Sequence, residues 1–446
     1  MAHPQTRSFV AAADGFRAGT DTPRAFLDRC LATLGEIEPQ VHAFVTYDAA
    51  SAQKAADEST ARWRAGKPLS PIDGMPVGIK DIIETHDMPT EMGAGYYKGW
   101  RPNRDAASVT ALREAGAVIL GKTVTTEFAT LPSGPTCNPW DLRRTPGGSS
   151  SGSAAATAAG MIAAGLGTQV LGSILRPASF CGVVGFKPSL GAVNRGGSHD
   201  GLSQSVHGAL AASIEDAWVM LRQIVDRAGG DPGYGGLIGP TETPAAQKPG
   251  RLAVLEMPGW DKAKGATRDA FDAAIDRLAG AGVEIRRAKG SAAIAKAQAA
   301  LDRSMPVSQQ VNCWEARWPI NSYRTLNSAG LTQFTLDKLA EAEAMTLAQY
   351  REALAERAAI RALYATLAAE CDATVTLSAT GPAPIGIAST GDPSFVAPGS
   401  LLGVPAISLP LLTVEDLPVG LQLMGFLDQD APLIGVARWV QENLSR

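Results

Sequence analysis

Over residues 8–65 apolar positions recur at helical spacing. Ala25-Phe26-Leu27 and Cys30-Leu31-Ala32-Thr33-Leu34 form the stripe of an amphipathic face. From 72 to 83 the pattern changes to short apolar runs broken by glycine and proline, which predicts strands. A helix over 105–115 and a buried strand over 117–121 then close a crossover unit. Between 146 and 187 glycine, serine and alanine dominate, and such small residues let backbones approach closely, as a site built from main-chain groups requires. A second strand–helix–strand unit is expected at 252–255, 267–281 and 283–285, with alanine- and leucine-rich helices over 292–370. Apolar strands at 373–377 and 405–409 bracket a Gly/Pro-rich loop, and a last strand at 419–424 precedes a terminal helix. This alternation predicts an α/β fold with a mixed, mostly parallel central sheet covered by helices on both faces. With no internal repeat and no long polar linker, a single domain over 1–446 is expected.

Composition narrows the class. The 446 residues are 45% hydrophobic and 19% charged, as in ordinary globular proteins. A net charge of −4 without a basic tract argues against a nucleic-acid partner. Five scattered cysteines (Cys30, Cys137, Cys181, Cys313, Cys371) without CxxC spacing read as reduced thiols, not as disulfides or a zinc site. The first residues lack the regions of a signal peptide, and no apolar run reaches the length of a membrane span. The expectation is a soluble cytoplasmic enzyme.

The chemistry concentrates in Gly147-Gly148-Ser149-Ser150-Ser151-Gly152-Ser153 and in Gly172-Ser173, with Lys80 in Val77-Gly78-Ile79-Lys80-Asp81. Ser149 lies 69 residues after Lys80 and 24 before Ser173. These supply a nucleophile, a relay and a base for acyl transfer without histidine. The run also fits G-x-S-x-G, which would make Ser150 a nucleophile with a histidine partner. That elbow must follow a buried strand, whereas residues 141–146 are mostly polar and end in proline. No Gly-Lys-Ser/Thr closes the run as a phosphate loop would require. Lys80 sits among Met75, Val77, Ile79, Ile82 and Ile83, so a desolvated and neutral amine is one reading. A lysine neutralised by its neighbour Asp81 is the other, and local sequence rates them equal.

Gly-Ile-Lys-Asp around Lys80, the Gly-Gly-Ser-Ser-Ser-Gly-Ser run, Gly172-Ser173 and the segment Phe180 to Ser189 resemble the amidase signature family. Gly121-Lys122-Thr123 and Leu417 to Leu423 fit the same likeness, which covers most of the chain. Within the family, residues 77–92 and Gly167-Thr168-Gln169 are most similar to malonamidase-like enzymes. The resemblance implies the amidase signature fold, with Ser173 as the acylated nucleophile. Ser149 would be a bridging serine after a cis peptide, and Lys80 the ultimate base. Backbone N–H groups of Val170, Leu171, Gly172 and Ser173 would form the oxyanion hole. It implies amide hydrolysis through an acyl-enzyme on a small-molecule substrate, with no metal and no cofactor. Oligomeric state stays open, with a homodimer common among relatives.

Ser150 and Gln169 are expected to support this network. Ser151 and Ser153 are expected to be structural, Ser153 as the N-cap of the following helix. Arg176 matches an arginine associated in the malonamidase-like branch with a substrate carboxylate, for which a guanidinium fork is suited. A structural ion-pair role for Arg176 is the competing reading. Leu171 replaces a small residue, usually glycine, and a leucine does not readily adopt positive φ. Malonamate is the leading substrate on this basis, with aryl amides or carbamates (urethanes) as competitors. Two further classes remain: the amidase-like subunit of a glutamine-dependent amidotransferase, and a binding protein that has lost catalysis. Residues 192–210 and 305–330 are expected to form loops over the pocket.

Overall fold

The computed structural model describes residues 3–445. Among these, eleven strands form one sheet: β1 Phe44–Tyr47, β2 Pro76–Lys80, β3 Val118–Thr123, β4 Ala164–Gln169, β5 Val184–Lys187, β6 Val206–Ala211, β7 Arg251–Val254, β8 Glu284–Arg286, β9 Ala373–Leu377, β10 Ala406–Val414 and β11 Leu417–Met424. Their order is β1-β3-β2-β4-β6-β5-β10-β11-β9-β7-β8. Every residue of β2, β3, β4, β5, β6, β9 and β11 is buried, so both faces of the sheet's centre are covered, as the apolar runs predict.

The sheet is mixed, but parallel pairing is not dominant. Four pairings are parallel (β2 with β3 and β4, β7 with β8 and β9) and six are antiparallel. Two of the parallel ones, β2 with β3 and β7 with β8, are the crossover units visible in the sequence. Three of the antiparallel ones involve β4, β5 or β6 (β4–β6, β5–β6 and β5–β10), and the other three are β1–β3, β9–β11 and the β10–β11 hairpin. The segments expected as loops over a pocket are also revised: 206–211 is a central strand, and 305–330 lies almost wholly in the helix Ser304–Asn327.

Helix boundaries follow local chemistry. Thr22 accepts the N–H of Ala25 at the start of helix Pro23–Val41, with proline in the first turn, where its missing N–H costs nothing. Thr346 and Gln349 form a reciprocal capping box on helix Leu347–Ala365. Helix Ser151–Ala158 is wholly buried and packs on β4. A Cβ added to Gly167 would stand 2.9 Å from Ser150 Oγ, so glycine in β4 is what lets the serine run approach the strand. β2, β3 and β4 are neighbouring parallel strands whose carboxyl ends lie together, the place where open α/β sheets form their crevices.

Candidate active site

Lys80 is the last residue of β2 and is fully buried. Its Nζ lies 2.7 Å from Ser149 Oγ and 2.8 Å from Thr168 Oγ1, with the Thr168 carbonyl at 3.4 Å. Burial pushes the amine down to about 7, opposed by the negative charge of Asp200. The reading that Asp81 neutralises Lys80 fails on strand geometry. Ile79 is in register with Lys122, and Lys80 with Thr123. In-register neighbours share a face and successive residues alternate. Asp81 accordingly meets Lys122, at 2.9 Å, with both side chains fully buried. Lys122 also donates to Thr90 Oγ1 and the Pro89 carbonyl, so it ties down the segment after β2.

The Gly148–Ser149 peptide is cis. Ser149 is 2% exposed and Ser173 6%, and the Ser150 N–H donates to the Ser173 carbonyl at 3.3 Å, which brings the two serine segments together. Ser150 Oγ exchanges hydrogen bonds with Thr168, donating to its carbonyl (3.2 Å) and accepting its N–H (3.4 Å). It therefore supports the strand that carries Lys80's partner and is not paired with a histidine. The buried His207, opposite Thr168 on β6, has no partner on either ring nitrogen among the described residues, and burial pushes it down to about 4. The helix after the serine run begins at Ser151, so Ser153 is not its N-cap. Ser153 lies inside the helix and bonds Thr123 Oγ1 at 2.7 Å.

The turn from β4 to helix Leu175–Cys181 contains Val170, Leu171, Gly172 and Ser173. Leu171 is not among the residues of positive φ, so the turn forms without the glycine-like conformation that its sequence makes costly. Gln169 organises this turn. Its Oε1 accepts the N–H groups of Ile174 (2.8 Å) and Leu175 (3.0 Å), and its Nε2 donates to Ser400 Oγ at 2.9 Å.

Arg176 is 6% exposed and its fork is occupied. Nη2 donates to the Gly148 carbonyl (2.7 Å) and to Thr390 Oγ1 (2.9 Å), and Nη1 donates to the Gly391 carbonyl (2.9 Å). Only Nε lacks a partner among the described residues. Burial pushes the guanidinium down to about 10, against the charge of Asp392. Arg176 thus clamps the backbone next to Ser149 onto the 390 loop. Its hydrogen bonds run to carbonyls and a hydroxyl, with no carboxylate among its hydrogen-bond partners in the described residues.

Sequence reasoning missed Thr168, Gln204, Thr390 and Ser400. Thr168 was legible in principle, since Gly167-Thr168-Gln169 carries part of the family likeness and a strand there would lie beside β2. Ser400 is more than two hundred residues from its partners and carries no local signal.

The amidase family profile matches residues 25–434. A stretch of 214 residues is 44% identical to a glutamyl-tRNA(Gln) amidotransferase subunit of Acidothermus cellulolyticus, covering 47% of this chain and 40% of that one. The chain thus spans less than half of that relative's length. The corresponding subunit of Anaeromyxobacter sp. (strain K) is 32% identical over 96% of this chain and 94% of its own. A crystal structure described as that of an amidase superposes with a TM-score of 0.85 at 29% identity, covering 98% of this chain and 100% of the other. These relatives support the family and not specifically its malonamidase-like branch. With the buried lysine, the two serine segments and the fold all in place, the chain belongs to the amidase family.

Proposed function

We propose that the chain is a serine amidohydrolase that cleaves a neutral amide or carbamate through an acyl-enzyme on Ser173. The observation that carries this reading is the Lys80–Ser149 contact of 2.7 Å in a site where burial holds the amine near neutrality. A neutral amine has one lone pair and two N–H groups. Directed at Ser149, the lone pair takes its proton, while the N–H groups are satisfied by Thr168 Oγ1 and the Thr168 carbonyl. Ser149 then takes the proton of Ser173 as Ser173 attacks the carbonyl carbon. The reverse transfer protonates the leaving nitrogen as the C–N bond breaks, and water releases the acyl group by the same relay. Backbone N–H groups of the 170–173 turn would hold the oxyanion.

The occupied fork of Arg176 favours a neutral substrate over malonamate. Bidentate carboxylate recognition needs two parallel N–H groups; both on Nη2 are taken and one of the two on Nη1, so the remaining Nε–H and Nη1–H lie on different edges and form no parallel pair. A second reading, an amidotransferase subunit releasing ammonia from glutamine, is favoured by the 32% identity along nearly the whole of one such relative.

The experiment compares kcat/KM for 4-nitroacetanilide, an aryl carbamate, malonamate and glutamine, in the parent and in Ser173→Ala. The parent is expected to prefer the neutral aryl substrates. Ser173→Ala is expected to lose roughly 10⁴-fold or more while keeping its fold. Near-normal turnover by that variant overturns the nucleophile, preference for malonamate overturns the substrate class, and turnover of glutamine alone supports the second reading.

A further inference from the structure

Two side chains from distant parts of the chain hold the carbonyls of the turn before Ser173. Gln204 Nε2 donates to the Val170 carbonyl at 3.3 Å, and Ser400 Oγ donates to the Leu171 carbonyl at 2.8 Å. Both residues are 1% exposed. Gln204 lies just before β6, and Ser400 lies in helix Ala397–Leu402.

The direction of the Ser400 hydrogen follows from its surroundings. Gln169 Oε1 faces two backbone N–H donors, so its carboxamide cannot be turned over and Nε2 must face Ser400. Ser400 Oγ therefore accepts from Gln169, and its own hydrogen is left for the Leu171 carbonyl. In a trans peptide the C=O of one residue and the N–H of the next lie in one plane and point in opposite directions. The bonds after Val170 and Leu171 are not among the cis peptides. Fixing the Val170 carbonyl on Gln204 consequently aims the Leu171 N–H away from Gln204, and fixing the Leu171 carbonyl on Ser400 aims the Gly172 N–H away from Ser400.

We propose that Ser400 and Gln204 are positioning residues that orient the Gly172 and Leu171 N–H groups as the oxyanion donors of this enzyme. The inference rests on the reading of Ser173 as nucleophile. Neither side chain touches the substrate. Each acts through a peptide plane, so its removal loosens the aim of a donor that matters most in the transition state.

The test reads the rate of labelling by an aryl fluorophosphonate, whose tetrahedral adduct places an oxygen where the oxyanion develops, and steady-state turnover of 4-nitroacetanilide. Mass spectrometry of the labelled parent locates the adduct. Ser400→Ala and Gln204→Leu are each expected to slow labelling and kcat by about 10- to 100-fold, less than or equal to the loss of a whole donor, with KM little changed. The acidic limb of the pH profile should not move, since the base is untouched, and the melting temperature reports whether each variant is folded. The two sites lie on different elements, so a folding defect in one leaves the other to decide. An adduct on Ser173 with labelling and kcat within about twofold of the parent in the folded variants overturns the positioning role, because a misaimed donor must cost more. An adduct on another residue overturns the nucleophile and this inference with it.

Discussion

Lys80 and Asp81 are neighbours in sequence, yet they serve opposite faces of the sheet. Asp81 is taken up by Lys122, and Lys80 is left with hydroxyls and a carbonyl. The sequence shows a lysine among apolar residues but cannot say whether Asp81 answers it, because that depends on which strand pairs with β2 and in what register. Once β3 is in place, alternation decides. The consequence is a pH dependence of activity. With the amine held at about 7, kcat/KM should rise as pH passes through 7 and level off above it, since only the unprotonated amine accepts a proton. Lys187, also fully buried and pushed to about 7, lies on β5 and donates to the Pro188 carbonyl, so Lys187→Met is the control. It should keep the limb, while Lys80→Met should remove activity across the range. A flat profile in the parent would exclude Lys80 as the base. Arg176 supplies a second prediction at this scale. Arg176→Met leaves the Gly148 and Gly391 carbonyls without their donor and should destabilise the protein by about 3 kcal/mol in denaturant unfolding. The ratio of malonamate to neutral-amide turnover should not change. A selective loss of malonamate turnover would return Arg176 to substrate recognition.

Among the elements, the glycine-serine run announced close backbone approach, and β4 with helix Ser151–Ala158 delivers it. The two crossover units were equally legible, because apolar strands alternate there with helical periodicity. What stayed hidden was the antiparallel centre. β4 and β6 are rich in glycine and alanine and β5 is only four residues long, and pairing direction leaves no mark in a single sequence. The misplacement of Ser153 has the same origin, since the buried helix starts earlier than a polar N-cap would suggest. The turn that follows β4 is held equally tightly. A Cβ on Gly172 would stand 2.4 Å from Val396 Cγ2, beside the helix that carries Ser400. Gly172→Ala should therefore cost about 1–3 kcal/mol of stability by overpacking. On the proposed mechanism it should lower kcat more than it raises KM, because the shift reaches the Gly172 N–H proposed as an oxyanion donor. Adding Val396→Ala should recover part of the stability. If the double variant is no more stable than Gly172→Ala alone, crowding against Val396 is not the reason for glycine.

For the whole molecule, the buried bases that the sheet encloses make stability depend on pH. Lys80 and Lys187 are both fully buried and both pushed down by desolvation to about 7, from an ordinary value of 10.5. Between these values the unfolded chain binds the protons and the folded protein does not, so stability rises with pH in that interval. The buried thiols Cys30 and Cys371 are pushed up to about 12 from 9.0, so above pH 9 they hold protons in the folded state and oppose the rise. The clean window is thus pH 7 to 9. Across it the two lysines together should contribute on the order of 4 kcal/mol, because each pKa unit is worth about 1.4 kcal/mol. Equilibrium unfolding in urea at pH 7, 8 and 9 measures this directly, and Lys80→Met or Lys187→Met should each lower the slope; Lys122, also fully buried and pushed down by desolvation, adds to it in the same direction. Stability that is flat or falling across this window would mean that the enclosed lysines keep their protons. A protonated Lys80 cannot serve as a base at neutral pH, so the same titration that measures the fold also tests the mechanism built inside it.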